Sequence, residues 1–223
     1  MSGALQAVYQ NQRSFGLTIG DAYEGGFYAG QISTAANGTA DFNLVVGPKS
    51  TAQTTKQWKT TATSTTGTSS VIDGPTNSSN MNNASHPAAE FCEGLTIGGF
   101  SDWYLPAWKE LEVCYYNLKP RNAANNSSNP EGQPTGGNLY AVPSRNVANT
   151  SSIPAQTSAT IFQEGNAQAF GVVPAGTLGI YWSSTENSAT RSWKVSFNNG
   201  YQYYSNYQKT YTLSVRAIRR VAV

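Results

Sequence analysis

The sequence predicts an α+β fold in which strands and long loops dominate and two helices lie in the middle of the chain. Charged residues make up 12% of the 223 residues, against about 25% in an average soluble domain. Asn, Ser, Thr, Gln and Gly supply the remaining polarity, which favours turns and strands over long helices. Strand patterns flank two adjacent helical patterns without alternating with them, so no parallel-sheet repeat is predicted.

Two strands are predicted near the start of the chain. In "GDAYEGGFYAGQIS", Phe27, Tyr28 and Ile32 flank glycines, which is typical of a strand that follows a sharp turn at a Gly-Gly pair. The run "FNLVV" predicts a second strand over residues 42–46, ended by a Gly-Pro pair. Residues 1–18 show weak patterning and are expected to form an N-terminal arm or attachment segment, with one domain over residues 19–223.

Two segments predict long loops rather than regular elements. Residues 51–85 are rich in Thr, Ser and Asn, and residues 121–179 in Asn, Gly and Pro. Loops of this length are usually functional or disordered, so the first is expected to be an ordered loop or a surface excursion. The apolar residues available as anchors are Trp58, Ile72 and Met81 in the first segment and Phe162 and Phe170 in the second.

The two helices are predicted from caps and apolar spacing. "SHPAAEFCEGL" offers Ser85 as an N-cap and a Pro in the first turn, and it ends at a Gly. "LPAWKELEVCYYNLKP" lies between two prolines, and Lys109, Glu110 and Glu112 are expected to point away from its apolar face. That face consists of Ala107, Leu111, Cys114 and Leu118.

Targeting and redox features are few. The N-terminus lacks a basic region followed by an apolar run, so no signal peptide is predicted, and synthesis in a cytoplasm is expected. No stretch approaches the ~18 apolar residues of a membrane span, so no membrane insertion is expected. A net charge of +2 is too small to predict binding to nucleic acid. Cys92 and Cys114 are expected to be buried thiols in preference to a disulfide.

Catalytic and metal-binding patterns are missing from the sequence. The single histidine, His86, precedes the Pro of a helix start and is expected to shape that turn rather than act as a base. No nucleophile elbow, phosphate loop or Cys/His spacing is present, so no enzyme activity, cofactor or metal site is predicted. Asp73, Asp102 and Glu164 remain scattered candidates for an oxygen-ligated ion.

Three motifs in order resemble one family. "DWYLPAWKEL", "YWSSTE" and "VRAIRR" are similar to the C-type-lectin-fold family of the Lcl C-terminal type, which includes bacteriophage virion proteins and the variable proteins of diversity-generating retroelements. "GDAYEGGFYAG", "LVVGPKS" and "HPAAEFC" resemble the phage branch. The resemblance implies a C-type lectin-like fold with a small antiparallel sheet joining the termini, two helices and long loops. The calcium motifs of sugar-binding lectins are absent, so calcium-dependent glycan binding is not expected.

The segment from Trp193 to Tyr207 predicts a β-hairpin with a Tyr-rich return strand. Trp193, Val195 and Phe197 alternate toward the core, and Asn199-Gly200 is a hairpin turn pattern. In "YQYYSNY" neither face is aliphatic, so neither is expected to be core. Tyr, Asn and Ser together are the composition of a recognition surface. The alternative is an exposed hairpin whose tyrosines make only cross-strand pairs.

We therefore expect a phage virion surface protein, a tail-fibre or capsid-displayed adhesin, that binds a glycan or protein of the host surface. The alternative is a decoration or joining protein whose Tyr/Asn face packs on another virion protein. Display on a virion further predicts an oligomer, expected to be a homotrimer, because weak sites gain from avidity. The candidate ligand-binding residues are Asn187, Arg191, Lys194, Ser196, Asn198, Tyr201, Tyr203, Tyr204 and Asn206.

Overall fold

The structure, a computed structural model, describes residues 16–128, 136–172 and 179–223. Within these ranges the chain is mostly β, with ten strands in two sheets, four short α-helices and one 3₁₀ turn over Thr160–Phe162. None of the helices described is long and apolar enough to span a membrane. The N-terminal arm predicted over residues 1–18 lies outside the described residues except for its last three positions.

The first sheet, called here the terminal sheet, joins the early strands of the chain to the last one. Its order is β1-β2-β3-β10, with β5 on β2, and every pair is antiparallel. Both strands predicted near the start of the chain are confirmed, and so is the antiparallel sheet that links the two ends of the fold. The strands are β1 (Ala22–Tyr23), β2 (Gly26–Ile32), β3 (Phe42–Val46), β5 (Ala141–Val142) and β10 (Ile218–Ala222).

The second sheet has the order β4-β9-β6-β7-β8, in which β6 and β9 are parallel and the other pairs antiparallel. The prediction of a loop over residues 51–85 is wrong in part, because β4 and a helix lie inside it. The sequence of β4, "QTTKQ", has no apolar alternation, and its partner β9 lies about 160 residues later in the chain. The strands are β4 (Gln53–Gln57), β6 (Ile180–Glu186), β7 (Ser192–Ser196), β8 (Gln202–Tyr203) and β9 (Thr212–Arg216).

The four helices are α1 (Lys49–Ala52), α2 (Gly74–Ser79), α3 (Pro87–Glu93) and α4 (Trp108–Leu118). Both helices predicted from the sequence, α3 and α4, are confirmed. The N-cap position of α3 is occupied by His86 and not by Ser85. Asp73, a candidate ion ligand, instead caps α2 by accepting a hydrogen bond from the backbone N–H of Thr76 at 3.3 Å.

The two glutamates of α4 do not point into solvent as predicted. Both are 0% exposed. Glu110 accepts hydrogen bonds from Tyr104 Oη at 2.6 Å and Arg220 Nε at 2.7 Å, while Glu112 pairs with Arg145. Arg220 lies 110 positions after Glu110, and Arg145 lies 33 positions after Glu112. Helical periodicity alone therefore could not identify these partners.

The core lies on both sides of the second sheet. Trp193, Val195 and Phe197 pack with α4 and the terminal sheet, as predicted, whereas Trp182 and Leu213 pack on the opposite face. Cys114 belongs to the first cluster and Cys92 to the second, and both are free, buried thiols, which confirms the prediction. Four of the five predicted anchors, Trp58, Met81, Phe162 and Phe170, are also buried, and Ile72 is partly buried.

Candidate functional site: a face built from three loops

Three loops meet where the second sheet ends. They are residues 59–68 after β4, residues 187–191 between β6 and β7, and residues 204–211 between β8 and β9. The backbone N–H of Lys209 donates to the carbonyl of Thr190 at 3.0 Å, and the carbonyl of Lys209 accepts from the backbone N–H of Trp58 at 3.0 Å. These bonds hold the loops together, and we call their shared surface the three-loop face.

A buried ion pair lies beneath the three-loop face. The side chain of Lys209 is 0% exposed, and its Nζ lies 3.0 Å from Glu186 Oε2 and donates to the carbonyl of Thr63 at 3.1 Å. Glu186 Oε2 also accepts from the backbone N–H of Thr65 at 2.7 Å and from Thr68 Oγ1 at 3.2 Å. Burial lowers the pKa of Lys209, and Glu186 opposes that effect. One lysine–carboxylate pair therefore joins loops from three parts of the chain.

A second lysine and the single histidine fix the first loop to α3. Lys59 Nζ donates to the carbonyl of Ser64 at 2.7 Å and to Thr65 Oγ1 at 2.9 Å. Thr65 Oγ1 in turn lies 2.9 Å from His86 Nε2, and His86 Nδ1 lies 2.8 Å from Asn83 Oδ1. Because an amide oxygen only accepts, Nδ1 carries the hydrogen and Nε2 accepts from the threonine.

The ring of His86 is held in its neutral form. Burial lowers the pKa of His86 to about 4, and the nearby cations of Lys59 and Lys209 act in the same direction, against a smaller effect of Glu186. A proton on Nε2 would face Thr65 Oγ1 and those two cations in a site that is 5% exposed. This confirms the expectation that His86 shapes the start of α3, and it assigns the ring a second role in the loop network.

Lys194 and Arg191, both candidate ligand-binding residues, tether the third loop. Lys194 is 0% exposed, and its Nζ donates to the carbonyl of Tyr204 at 2.8 Å and that of Tyr207 at 3.4 Å. Arg191 Nη1 donates to the carbonyl of Asn206 at 2.9 Å. Lys194 is buried because the second sheet is covered on both faces, so the face of β7 that carries Lys194 is interior like the face that carries Trp193.

Asn206 forms the tip of the third loop. Its φ is 69°, a left-handed conformation that asparagine tolerates better than most residues. Its side chain is exposed, as are those of Gln208 and Tyr211, the last at 49%. The tethers on the main chain of this loop therefore leave amide and phenol groups at the surface.

The hairpin itself is confirmed, but its tyrosines are more buried than predicted. Tyr203 is 4% exposed and stacks on Tyr201 with ring centroids 4.7 Å apart, and Tyr204 packs edge-on against Trp193 at 5.0 Å. The expectation that neither face of the return strand is core is therefore wrong. Gly200, at φ 72°, closes the turn against Tyr115, where a Cβ would come within 2.2 Å of the ring.

The predicted site residues divide into two groups along β7. Asn187, Arg191 and Asn206 lie at the three-loop face, whereas Ser196 and Asn198 lie at the opposite end of the strand, beside the hairpin turn. Ser196 is 6% exposed. The structure therefore brings together the first group with Tyr204 and Lys194 beneath it, and it separates the second group from them.

Sequence reasoning missed the residues that hold the loops. Lys59 and Lys209 are single cations within polar segments and belong to no motif. The exposed Tyr211 was also missed, because it lies several residues after the predicted hairpin. Glu186, the partner of Lys209, ends the "YWSSTE" motif and is the one loop-holding residue that a sequence motif indicated. Lys209 donates to the carbonyl of Thr63, which lies 146 positions away in the sequence. Lys59 bonds within its own loop, to oxygens four to six positions later. Neither set of contacts forms a recognisable sequence motif.

The exposed side chains of this face offer neutral hydrogen bonding and aromatic contact, and the half-buried Arg191 adds one cation at its border. Over the described ranges, no group of three or more His, Cys, Asp or Glu side chains could hold a metal ion. The other two candidate ion ligands have separate partners: Asp102 pairs with Arg219 at 2.7 Å, and Glu164 lies 3.9 Å from Arg121. The exposed groups of the face suit binding of a ligand surface.

Comparison with known proteins identifies one family. The Lcl C-terminal domain family matches residues 50–219, more than half of the chain. A fimbrial protein from Bacteroides ovatus ATCC 8483 is similar in structure with a TM-score of 0.43 and 12% identity, over 79% of this chain. The chain spans 35% of the length of that fimbrial protein. No curated protein sequence matches.

Proposed function

The chain belongs to the Lcl C-terminal domain family, and we propose that it is a surface-displayed binding module whose three-loop face contacts a receptor on a host cell. The specific proposal is a phage virion adhesin with a C-type lectin-like fold, carried on a tail fibre or on the capsid. The motif blocks that resemble the phage branch support this assignment. Display as a homotrimer, with a host glycan or protein as ligand, belongs to the same proposal.

One observation carries the proposal: a buried Lys209–Glu186 pair fixes three loops whose exposed side chains are amides, hydroxyls and phenols. Loops ordered before binding lose less conformational entropy when a ligand arrives. Tyr, Asn and Ser supply contact area and adaptable hydrogen bonds in recognition surfaces. The face therefore combines a rigid base with an adaptable surface.

The binding residues are accordingly revised from the sequence set. Asn187 and Asn206 remain as exposed hydrogen-bonding groups, and Tyr211 joins them as an exposed aromatic. Arg191, half-buried, holds Asn206 in place while its remaining N–H groups border the face. Lys194 and Tyr203 act from below by positioning the loop.

The test is saturable binding of the purified protein to cells of the candidate host. The double variant Asn187→Ala/Tyr211→Ala changes exposed side chains only, so it should fold normally and lose at least about tenfold in affinity, equivalent to about 1.4 kcal/mol. A matched control, Asn122→Ala/Val147→Ala, removes exposed side chains outside the face and should bind like the native chain. Equal binding by native chain and double variant would refute the proposal.

A structural role in a virion is the second candidate, and one observation favours it. Three large apolar side chains between α4 and the 3₁₀ turn are well exposed: Leu139 at 52%, Val147 at 69% and Ile153 at 53%. Exposed apolar groups are typical of subunit contacts. Because both native cysteines are buried, maleimide labelling of a Tyr211→Cys variant reports access to the three-loop face. Labelling on assembled particles supports the adhesin, and protection there supports the structural role.

A further inference from the structure

The terminal sheet carries a cleft that the proposed function does not use. It has a volume of about 550 Å³, within the range of ligand pockets. Four side chains converge on it: Tyr23, Tyr28, Gln31 and Asn43. Gly16, Leu17, Ala222 and Val223 complete the wall. We call it the terminal-sheet cleft.

The polar groups of the cleft are connected in a fixed order. Gln31 Nε2 donates to Asn43 Oδ1 at 3.0 Å, and Asn43 Nδ2 donates to Tyr23 Oη at 3.4 Å. Asn43 is 6% exposed, so its amide is set by these partners and not by solvent. The rings of Tyr23 and Tyr28 meet edge to face, 6.3 Å apart. The result is a preorganised row of amide and phenol groups.

This row retains unused hydrogen-bonding capacity. Among the residues that the structure describes, no hydrogen bond is made by Gln31 Oε1 or Tyr28 Oη. The hydroxyl hydrogen of Tyr23 and the second amide hydrogens of Gln31 and Asn43 are also available for donation. The cleft therefore offers both donors and acceptors. A purely apolar ligand would bury them unpaired, at a cost of about 1–3 kcal/mol for each group.

The electrostatics of the cleft favour a neutral ligand. No Asp, Glu, Lys, Arg or His side chain lines it in the described part of the chain. Arg220, which pairs with Leu44 next to Asn43, lies on the other face of the sheet and is bound to Glu110. The nearest cation by register on the face of Asn43 is Arg219, which pairs with Val45. Its guanidinium is already neutralised by Asp102, with contacts of 2.7 and 2.9 Å. No side chain that lines the cleft in the described part of the chain would supply a counter-ion to an anionic or cationic ligand.

We infer that the terminal-sheet cleft binds a neutral saccharide of one or two residues. Sugar hydroxyls both donate and accept hydrogen bonds, which matches the amide and phenol groups of the cleft. The tyrosine rings offer apolar contact to the C–H groups of a pyranose. The site is built from the terminal sheet, whereas the three-loop face is built from loops of the second sheet. The inference is therefore independent of the proposed receptor-binding face.

The experiment is saturation-transfer NMR of the whole chain with a panel of methyl glycosides. The neutral probes are the glycosides of glucose, galactose, mannose, rhamnose and N-acetylglucosamine, and sialic acid and glucosamine serve as charged counterparts. At least one neutral glycoside should bind with a dissociation constant of about 1 mM or tighter. The side-chain amide resonances of Gln31 and Asn43 should shift on titration, and the charged counterparts should bind at least about tenfold more weakly.

Two variants assign the binding to the cleft. Gln31→Leu replaces a half-buried amide by an apolar group of similar size and should weaken binding at least about tenfold. Tyr23→Phe removes one hydroxyl only and should also weaken binding, so it replaces the first variant if that variant does not fold. The three-loop variant Asn187→Ala/Tyr211→Ala should bind the glycoside like the native chain. Absence of binding by every neutral probe, or binding unchanged in both cleft variants, would overturn the inference.

Discussion

The neutral state of His86 predicts that acid destabilises the fold through one group. An unfolded histidine has a pKa near 6.5, whereas in the fold it is lowered to about 4. Between these values the unfolded chain binds a proton and the folded chain does not, so stability must fall as the pH decreases through this window. Above a pH of about 6.5 the contribution is fully present and constant.

The magnitude follows from the size of the shift. A difference of about 2.5 pKa units corresponds to at most about 3.4 kcal/mol, since one unit is about 1.4 kcal/mol. The ring lies beneath loops that border solvent, so screening reduces this figure, and we expect a loss of about 1–3 kcal/mol between about pH 7.5 and about pH 4.5.

The assay is urea unfolding of the native chain and of a His86→Gln variant, followed by tryptophan fluorescence at both pH values. His86 is the single histidine of the chain, and the variant can keep one hydrogen bond to Thr65 or Asn83. At the higher pH the variant should be less stable by about 1 kcal/mol because one hydrogen bond is lost. At the lower pH that gap should close or reverse.

The comparison cancels the other acid-sensitive groups. Burial raises the pKa of Glu93, Glu110 and Glu112, so these carboxyls also titrate in the acidic range, but they do so in both proteins. An identical difference in stability at the two pH values would refute the assignment of a buried neutral histidine. A gap that widens toward acid would have the wrong sign and would refute it as well.

Three further perturbations test the buried contacts. Lys194→Met leaves backbone carbonyls of the third loop unpaired, so it should cost about 1–3 kcal/mol in urea unfolding and speed amide hydrogen exchange over residues 204–207. Gly200→Ala combines a φ of 72° with a clash against Tyr115, and calorimetry should show a lower Tm corresponding to at least about 1 kcal/mol, whereas an unchanged Tm would contradict the turn geometry. Glu112→Ala strands the guanidinium of Arg145 and should cost about 3–5 kcal/mol, while a double variant lacking both side chains should cost less than the sum of the two singles in a mutant cycle.

Local patterns predicted the parts of the fold that local physics controls. The strand over Phe42–Val46 was predictable because an apolar run ends at a Gly-Pro pair, and α4 because apolar residues at helical spacing lie between two prolines. The hairpin turn at Asn199-Gly200 was also predictable from local sequence, because the turn requires a residue with positive φ and Gly adopts this conformation readily.

The remaining features depend on contacts that are distant in sequence. The pattern of β7 placed Trp193 inside, but only the covering of the second sheet on both faces places Lys194 inside as well. The same holds for Glu110, whose partner Arg220 comes from the last strand. A buried charge is stable only when specific partners satisfy it, and these partners are set by the tertiary fold. The structure therefore gathers Asn187, Arg191 and Asn206 at one face, and it places Lys194 beneath that face, where the side chain holds the third loop.

The positions of the last two strands impose an order of events on biosynthesis. Strand β9 lies between β4 and β6, and β10 pairs with β3, so residues 212–222 complete both sheets. Until the ribosome has released these residues, β4 has no partner in its sheet and Glu110 has no arginine. The pairs β1-β2-β3 and β6-β7-β8 need no later residue, whereas both sheets are completed only when the last two strands have been translated.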